Sequence, residues 1–214
     1  LEFRRVLFRS PAQDFKRAHD DDAGPNPGGM GAYSPLPWAP ADVVDDVTAR
    51  VLQPMIDAMA ARGTPFVGLL YAGLAMTSRG IRVVEFNARF GDPETQVVLA
   101  RLQSGLGGLM MAAATGHLET HPAPVWSSDA AVTVVIAAQG YPESPRTGDV
   151  IAGLDDAAAS AGVDILHAGT RVQDDGSIAA SGGRVLSVTA VGDTLHQARS
   201  EEHTSELQSP DHLV

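Results

Sequence analysis

The stretch Val83-Val84-Glu85-Phe86-Asn87-Ala88-Arg89-Phe90-Gly91-Asp92-Pro93-Glu94 decides how the chain is organised. It predicts an apolar strand that carries an acid and an amide two residues apart, then an arginine, a turn and a helix start. Because side chains alternate along a strand, Val83, Glu85 and Asn87 are predicted to share one face. Residues two apart on one face lie roughly 6.5–7 Å apart at Cα, so two oxygen ligands can converge on one small cation.

Two interpretations of this strand follow from the spacing. A carboxylate with an amide oxygen, leaving positions for water and phosphate oxygens, is a common way to hold Mg²⁺ beside a nucleotide. The alternative is a half-exposed strand end with two solvated polar residues. The spacing alone leaves both open.

The neighbouring sequence places this strand in a hairpin. Residues 66–76 form an apolar run, 77–80 (Thr-Ser-Arg-Gly) a turn and 81–87 the second strand. Asp92 is predicted to cap the next helix, with Pro93 at its first position. Apolar residues recur at helical spacing in three segments: 42–62, 94–103 and 106–115. Pro54 is predicted to kink the first of these helices.

Glycine and proline fill residues 24–35, Gly-Pro-Asn-Pro-Gly-Gly-Met-Gly-Ala-Tyr-Ser-Pro. Their density predicts irregular structure throughout this segment. It is either a structured loop whose backbone N–H groups approach an anion, or a plain linker.

A proline-containing connector at 117–128 predicts a domain boundary. Beyond it, turn signals separate four predicted strands, and Asp193-Thr194 starts a helix; the strands are 130–138, 148–151, 163–172 and 184–191.

Composition limits the class of protein. The 214 residues carry a net charge of −11 and no cysteine, which excludes disulfides and thiolate chemistry and argues against a nucleic-acid surface. No apolar run is long enough to span a membrane. We expect a cytoplasmic protein that is a monomer, without membrane or nucleic-acid partners.

The two ends are predicted to be non-native. The ten codons of residues 1–10 can pair, in antiparallel order, with the ten codons of residues 199–208, so one DNA segment read on opposite strands can encode both. Both also resemble a translated sequencing adapter. Residues 1–10 and 199–214 are therefore excluded from the expected fold.

Several motifs resemble one family over residues 13–198. In order they are DFKR, GPNPGGMGAYSP, GLLYAGL, VVEFNARFGDPETQ, GYPESPRTGDVI, LHAGT and GGRVLSVTA. Together they are similar to the phosphoribosylamine–glycine ligase family of the ATP-grasp superfamily. The resemblance implies an α+β fold: the C-terminal half of an ATP-grasp core (11–120), built from an antiparallel hairpin and helices, then a small β-rich domain (121–198).

The resemblance also implies the chemistry. In purine biosynthesis, such an enzyme joins glycine to 5-phosphoribosylamine, with ATP and Mg²⁺ or Mn²⁺, through a glycyl phosphate. Positioning and charge neutralisation suffice for this reaction, so no protein nucleophile is expected. The family's ATP lobe would precede residue 13, so this chain is expected to be inactive alone.

Site residues carry over by position. Glu85 and Asn87 match the metal ligands, while Arg89 and Lys16 are the candidate catalytic cations for phosphate groups. The remaining candidates contact substrate and are Asp14, Arg17, Asn26, Gly28, Gly29 and Gly31. Two alternatives remain: another ATP-grasp carboxylate–amine ligase or carboxylase, and a non-catalytic β-rich binding module.

Overall fold

The computed structural model describes residues 10–17 and 24–204, with only the backbone for 203 and 204. The elements in chain order are β1 (Gln13–Phe15), β2 (Gly31–Ser34), α1 (Val43–Val47), a π-helical segment (Thr48–Leu52), α2 (Gln53–Ala61), β3 (Tyr71–Thr77), β4 (Gly80–Asn87), α3 (Glu94–Ala100), α4 (Leu106–Ala114), β5 (Ala130–Ala137), α5 (Leu154–Ala158), β6 (Val163–His167), β7 (Thr170–Val172), β8 (Ile178–Ala180), β9 (Arg184–Gly192) and α6 (Leu195–Thr204). The predicted α+β class is confirmed. None of the described helices is long and apolar enough to cross a membrane.

Two compact units form from interleaved segments of the chain. The hairpin unit contains Leu36–Gly91 and Leu102–Ser127, together with the first described residues up to Pro11. The sheet unit contains Ala12–Pro35, Asp92–Arg101 and the chain from Ser128 onward. The predicted boundary near residue 121 lies in the last segment of the hairpin unit, and the predicted limits of the family's domains stay a prediction.

A five-stranded antiparallel sheet with the order β1-β2-β5-β9-β6 organises the sheet unit. Strand β9, which lies between β5 and β6, is buried along most of its length, and Val185–Val191 is accordingly mostly apolar. Helix α3 packs on this sheet through Val97, which is fully buried with Ala32 and Ala131. The sheet therefore joins strands from both sides of the predicted domain boundary.

Strand β2 overturns the expectation of irregular structure throughout 24–35. Its residues Gly31–Ser34 pair with β1 on one side and β5 on the other. A Cβ on Gly31 would lie 3.1 Å from the Thr133 carbonyl oxygen, so glycine lets the strands approach closely. Hydrogen bonds to two neighbouring strands outweigh the low strand propensity of this segment.

The predicted strand 163–172 is two strands in two sheets. Strand β6 joins the large sheet, whereas β7 pairs with β8. The break falls at Gly169, where a Cβ would lie 2.6 Å from the Arg184 carbonyl oxygen. The predicted strand 148–151 is only an isolated bridge between Val150 and Ala179.

Helix α6 begins as predicted, with the Thr194 hydroxyl accepting a hydrogen bond from the Gln197 amide at 3.1 Å. It continues to Thr204, six residues into the predicted flank, rather than ending at residue 198. The other predicted flank lies outside the described residues, apart from Ser10. Strand β1, helix α5 and strand β8 were not predicted.

The hairpin unit contains the predicted helix and hairpin. The helix runs from Val43 to Ala61, and its irregularity is the π-helical segment directly before Pro54. The hairpin begins at Tyr71, later than predicted, and turns at 78–79. Among the described residues of this unit, few apolar side chains are buried: Leu52, Leu109 and Ala112.

The turn between β7 and β8 gives a pH-dependent prediction. The Ser177 hydroxyl donates to Asp175 at 2.6 Å, and this bond, followed by the one from the Ser177 amide, lowers the pKa of Asp175. Because its pKa is lowered in the folded state, the Asp175 carboxylate stabilises the fold at pH values above the ordinary aspartate pKa. This contribution is lost as the pH falls through the folded-state pKa. Replacing Ser177 by alanine should raise the pKa of Asp175 toward its ordinary value, as measured by carboxyl NMR titration. An unchanged titration would contradict this, and Asp174 is the internal control.

Candidate functional site

The hairpin brings Glu85 and Asn87 to one face of strand β4. Glu85 pairs with Gly73 and Asn87 pairs with Tyr71 on the neighbouring strand. Directly paired residues lie on the same face of an antiparallel sheet, and Gly73 and Tyr71 are two apart on a regular strand. Glu85 and Asn87 therefore share one face of β4, as the spacing predicted.

A β-bulge corrects the prediction that Val83 shares this face. The register shifts between Gly73 and Leu74, so Val84 has no partner and Val83 pairs with Leu74. Because Gly73 and Leu74 are adjacent on β3, their partners lie on opposite faces. Val83 therefore faces away from Glu85, and the extra residue re-aims the acid relative to the first half of the strand.

The surroundings of these two side chains suit a small hard cation. The Asn87 side-chain nitrogen is buried and has no hydrogen-bond partner in the described part of the chain, so nothing there holds the amide. A Cβ on Gly73 would lie 3.0 Å from the Glu85 Cγ, so glycine provides the room in which the carboxylate sits. One carboxylate and one amide oxygen are the donors that Mg²⁺ takes when phosphate oxygens complete its shell.

Arg89 follows this pair in the same unit and is exposed. Its guanidinium donates to the neighbouring Phe90 carbonyl oxygen at 2.8 Å, which uses one of its nitrogens. An arginine with most of its donors turned to solvent can still bind a phosphate or carboxylate in a bidentate manner.

The glycine-rich loop 24–30, hereafter the glycine loop, is an ordered part of the sheet unit. The Asn26 side chain accepts a hydrogen bond from the Gly28 amide, and Gly28 has a φ of +119° that favours glycine. The Tyr141 hydroxyl donates to the Pro27 carbonyl oxygen at 3.0 Å. These contacts favour the structured loop over the plain linker.

Gly29 lies at the most crowded point of the loop. A Cβ there would lie 2.0 Å from Pro93 Cδ and 2.7 Å from the Asp92 carbonyl oxygen. The Arg184 guanidinium donates to the Gly29 carbonyl oxygen at 3.2 Å. Close packing against Asp92-Pro93 thus requires glycine at this position, in addition to any contact with substrate.

The prediction that Asp92 caps helix α3 is wrong. Pro93 occupies the cap position of α3 without a side-chain cap bond. The Asp92 carboxylate instead accepts hydrogen bonds from the Arg184 guanidinium at 2.8 Å and from the Gln96 side-chain amide at 3.0 Å. Sequence analysis assigns Arg184 no role, because a partner 92 residues away leaves no local signal.

The remaining cationic candidates have partners within the sheet unit. The Lys16 ammonium pairs with the Asp14 carboxylate, and the Arg17 guanidinium donates to the Gly24 carbonyl oxygen at 2.6 Å. Both cations are exposed, so they can also meet an anion from solvent.

Arg101 is a buried residue that sequence reasoning missed. Its guanidinium donates to the Ser34 hydroxyl and to the Asp129 carbonyl oxygen, both at 2.7 Å. Burial lowers the pKa of Arg101, although the Asp129 charge acts in the opposite direction. Its contacts place it as a structural tie between β2 and the start of β5.

The predicted site residues thus fall in two groups. The metal pair and Arg89 belong to the hairpin unit, and the other group belongs to the sheet unit: Asp14, Lys16, Arg17, Asn26, Gly28, Gly29 and Gly31. Within the described ranges, no group of three or more histidine or acidic side chains could hold a metal by itself.

A solved structure shares the fold, and a family model gives the class of protein. The chain matches a biotin carboxylase domain of a thermophilic 2-oxoglutarate carboxylase with a TM-score of 0.65 at 12% identity, over 98% of this chain and 45% of that one, which is a likeness of fold alone. A family model, the phosphoribosylglycinamide synthetase ATP-grasp (A) domain, matches residues 3–95. The fold is thus that of an ATP-grasp protein.

The particular family follows from the second half of the chain. A model of the phosphoribosylglycinamide synthetase C domain matches residues 131–208. The chain belongs to the phosphoribosylglycinamide synthetase family. The matched ranges extend into both predicted flanks.

The names of individual relatives agree with the family models. The chain is 64% identical over 195 residues to a phosphoribosylamine–glycine ligase of Streptomyces coelicolor, covering 90% of this chain and 47% of the relative. It is 54% identical over 203 residues to that of Mycobacterium leprae, covering 95% and 47%. The crystal structure of the Thermotoga maritima ligase matches with a TM-score of 0.80 at 29% identity, over 94% of this chain and 49% of that one. The chain therefore spans about half the length of the relatives it matches.

Proposed function

We propose that this chain is part of an ATP-dependent carbon–nitrogen ligase that joins glycine to 5-phosphoribosylamine, giving glycinamide ribonucleotide, ADP and phosphate. The family match and the names of the relatives support this activity. The observation that carries it in this chain is the Glu85–Asn87 pair on one face of β4, with an Asn87 side-chain nitrogen that has no hydrogen-bond partner among the described residues.

Each group has a role in this scheme. Glu85 and Asn87 would hold Mg²⁺ or Mn²⁺, which neutralises phosphate oxygens during transfer to the glycine carboxylate. Arg89, with its free donors, would bind the transferring phosphoryl group or the phosphate of the amine substrate. Lys16 and Arg17 would add positive charge near the glycine loop.

The glycine loop would shape the substrate site through its backbone. Asn26 and Gly28 fix its turn, Gly29 fits against Asp92-Pro93, and Gly31 begins a strand of the sheet. Asp14 would orient an amine once its Lys16 partner is displaced toward an anion. A loop held at several points pre-organises its N–H groups, which lowers the entropic cost of binding.

The test compares two polypeptides in an assay of phosphate release that depends on ATP, glycine and phosphoribosylamine. A full-length chimaera of the S. coelicolor relative, carrying this sequence in the matched region, should form glycinamide ribonucleotide. The 214-residue chain alone should form none, because it supplies about half of the relative's length. A chimaera that folds but makes no product would overturn the proposed activity, and product from the chain alone would overturn its proposed inactivity.

A further inference from the structure

The bulge in strand β4 places an arginine on the face that carries the metal pair. Arg82 lies three residues before Glu85, and on a regular strand an odd separation puts two side chains on opposite faces. Here Arg82 pairs with Ala75, and Glu85 pairs with Gly73. Ala75 and Gly73 are two apart on β3, so their partners share one face. The extra residue in β4 therefore brings Arg82 onto the face of Glu85 and Asn87, as bulges beside functional sites often do.

The spacing on this face lets one ligand contact the arginine and the acid together. Arg82 occupies the row next to Glu85 on the side of the hairpin turn, and Asn87 occupies the row on the other side. Neighbouring rows on one face lie roughly 6.5–7 Å apart at Cα. A guanidinium ends a long flexible stem, so it can reach across one such row. A phosphate group bound at the metal pair would therefore lie within reach of Arg82.

The observed contact of the Arg82 guanidinium is one that an anion can replace. The side chain is exposed and donates to the neighbouring Ile81 carbonyl oxygen at 2.9 Å. This bond goes to a neutral acceptor and uses one of the five N–H donors of a guanidinium. Hydrogen bonds between a guanidinium and a phosphate are shorter and stronger, and they form in pairs. An arriving phosphate would therefore compete well with the carbonyl oxygen.

The charges on this face favour an anionic ligand once a metal is bound. Glu85 and Arg82 are its charged side chains, because the other residues that β3 and β4 place there, all of them described, are uncharged. Their charges balance, so a divalent cation at the metal pair leaves a positive surplus that phosphate oxygens can neutralise. The whole chain carries a net charge of −11, so Arg82 is not part of a generally basic surface.

We propose that Arg82 is a further phosphate-binding residue of the Glu85–Asn87 site, where it donates to a terminal phosphate of the nucleotide. The inference rests on the proposed function, which brings ATP and a divalent metal to this face. Arg82 precedes the metal pair along the chain and Arg89 follows it, so the pair has an arginine on each side. The residue binds the nucleotide through its charge and its planar donors, and it does not hold the metal.

The experiment measures binding to the full-length chimaera by water proton relaxation. Mn²⁺ is titrated first alone and then with the non-hydrolysable β,γ-methylene analogue of ATP. Arg82→Gln should weaken binding of the analogue about tenfold, because a charge-assisted hydrogen bond is lost, and should leave the binding of Mn²⁺ alone unchanged. AMP, which lacks the terminal phosphates, should bind equally well to the variant and the unmodified protein.

Arg79→Gln is the matched control. Arg79 is an exposed arginine of the same hairpin, but it lies in the turn rather than on the metal face. Its replacement should leave binding of the analogue unchanged, and Arg82→Lys, which keeps the charge without the planar fork, should recover part of the affinity. Should Arg82→Gln perturb the fold, as seen by circular dichroism, Arg82→Met keeps the apolar stem and decides in its place. Analogue binding that is unaltered by the loss of the Arg82 charge, or weakened equally by Arg79→Gln, would overturn the assignment.

Glu85→Gln separates this inference from the proposed function. In the same titration this variant should weaken the binding of Mn²⁺ alone. If Glu85→Gln weakens Mn²⁺ binding while Arg82→Gln leaves analogue binding unchanged, the role of Arg82 is wrong and the metal pair stands. If Glu85→Gln leaves Mn²⁺ binding unchanged while Arg82→Gln weakens analogue binding, the metal pair is wrong and Arg82 still binds phosphate.

Discussion

Replacing Glu85 by alanine in the full-length chimaera should reduce Mg²⁺-dependent formation of glycinamide ribonucleotide by at least about a thousandfold. The metal is worth several kcal/mol of charge stabilisation in phosphoryl transfer, and each 1.36 kcal/mol is a factor of ten in rate. The folded structure should survive, because Glu85 is exposed and has no hydrogen-bond or ion-pair partner in the described part of the chain.

Glu119→Ala is the matched control for this experiment. Glu119 is an exposed acid of the same hairpin unit, outside the strand that carries the metal pair. Its loss should change the rate by less than about twofold. Phosphate release and circular dichroism would be measured for both variants, and near-normal turnover of Glu85→Ala would rule out the metal assignment.

Replacing Gly29 by alanine should destabilise the sheet unit by about 3 kcal/mol. The added methyl group would overlap Pro93 Cδ, at 2.0 Å, and the Asp92 carbonyl oxygen, at 2.7 Å. Neither neighbour is the free end of a flexible side chain, since one is a proline ring and the other is backbone. Relief requires the glycine loop to move away from the start of α3, which also breaks the bond from Arg184 to the Gly29 carbonyl oxygen.

The measurement is urea unfolding followed by fluorescence and circular dichroism. Gly107→Ala provides the control, because a Cβ there meets nothing within 4 Å and the residue lies in helix α4. That change should alter the free energy of unfolding by less than about 1 kcal/mol, in the stabilising direction. Identical unfolding midpoints for Gly29→Ala and the unmodified chain would show that the loop adapts without cost.

Local patterns predicted the parts of the molecule that local forces determine. The Thr-Ser-Arg-Gly turn and its flanking apolar residues predicted the hairpin, and the spacing of Glu85 and Asn87 predicted a shared face. The bulge at Val84 was not predicted, because an extra residue in one strand has no characteristic amino acid. It changed the orientation of Val83 but not of the metal pair, since both members lie beyond it.

Long-range contacts overrode local rules elsewhere. Asp92-Pro93 satisfies the pattern for a helix start, yet Arg184 recruits the carboxylate that would have capped the helix. The glycine loop ends in a strand because β5 supplies the missing hydrogen bonds.

The resemblance to a family favours one interpretation of Glu85 and Asn87, which neither the residue spacing nor the contacts in the structure do. Spacing left the acid–amide pair with two interpretations, and the ordered motifs favoured the metal. The roles of Lys16, Arg17 and Arg89 stay predictions, because their observed partners are carbonyl oxygens and one neighbouring acid that a substrate could displace.

The pairing of β2 with β5 has a consequence for synthesis of the chain on the ribosome. Gly31 lies opposite Val134, so β2 cannot complete its pairing until about a hundred further residues have been made. At 5–20 residues per second this takes roughly 5–20 s, during which β2 has only β1 as its partner in the large sheet. A two-stranded ribbon is marginally stable in water, and its free edge can pair with another nascent chain. The large sheet is therefore completed only after β5 and β9 have emerged.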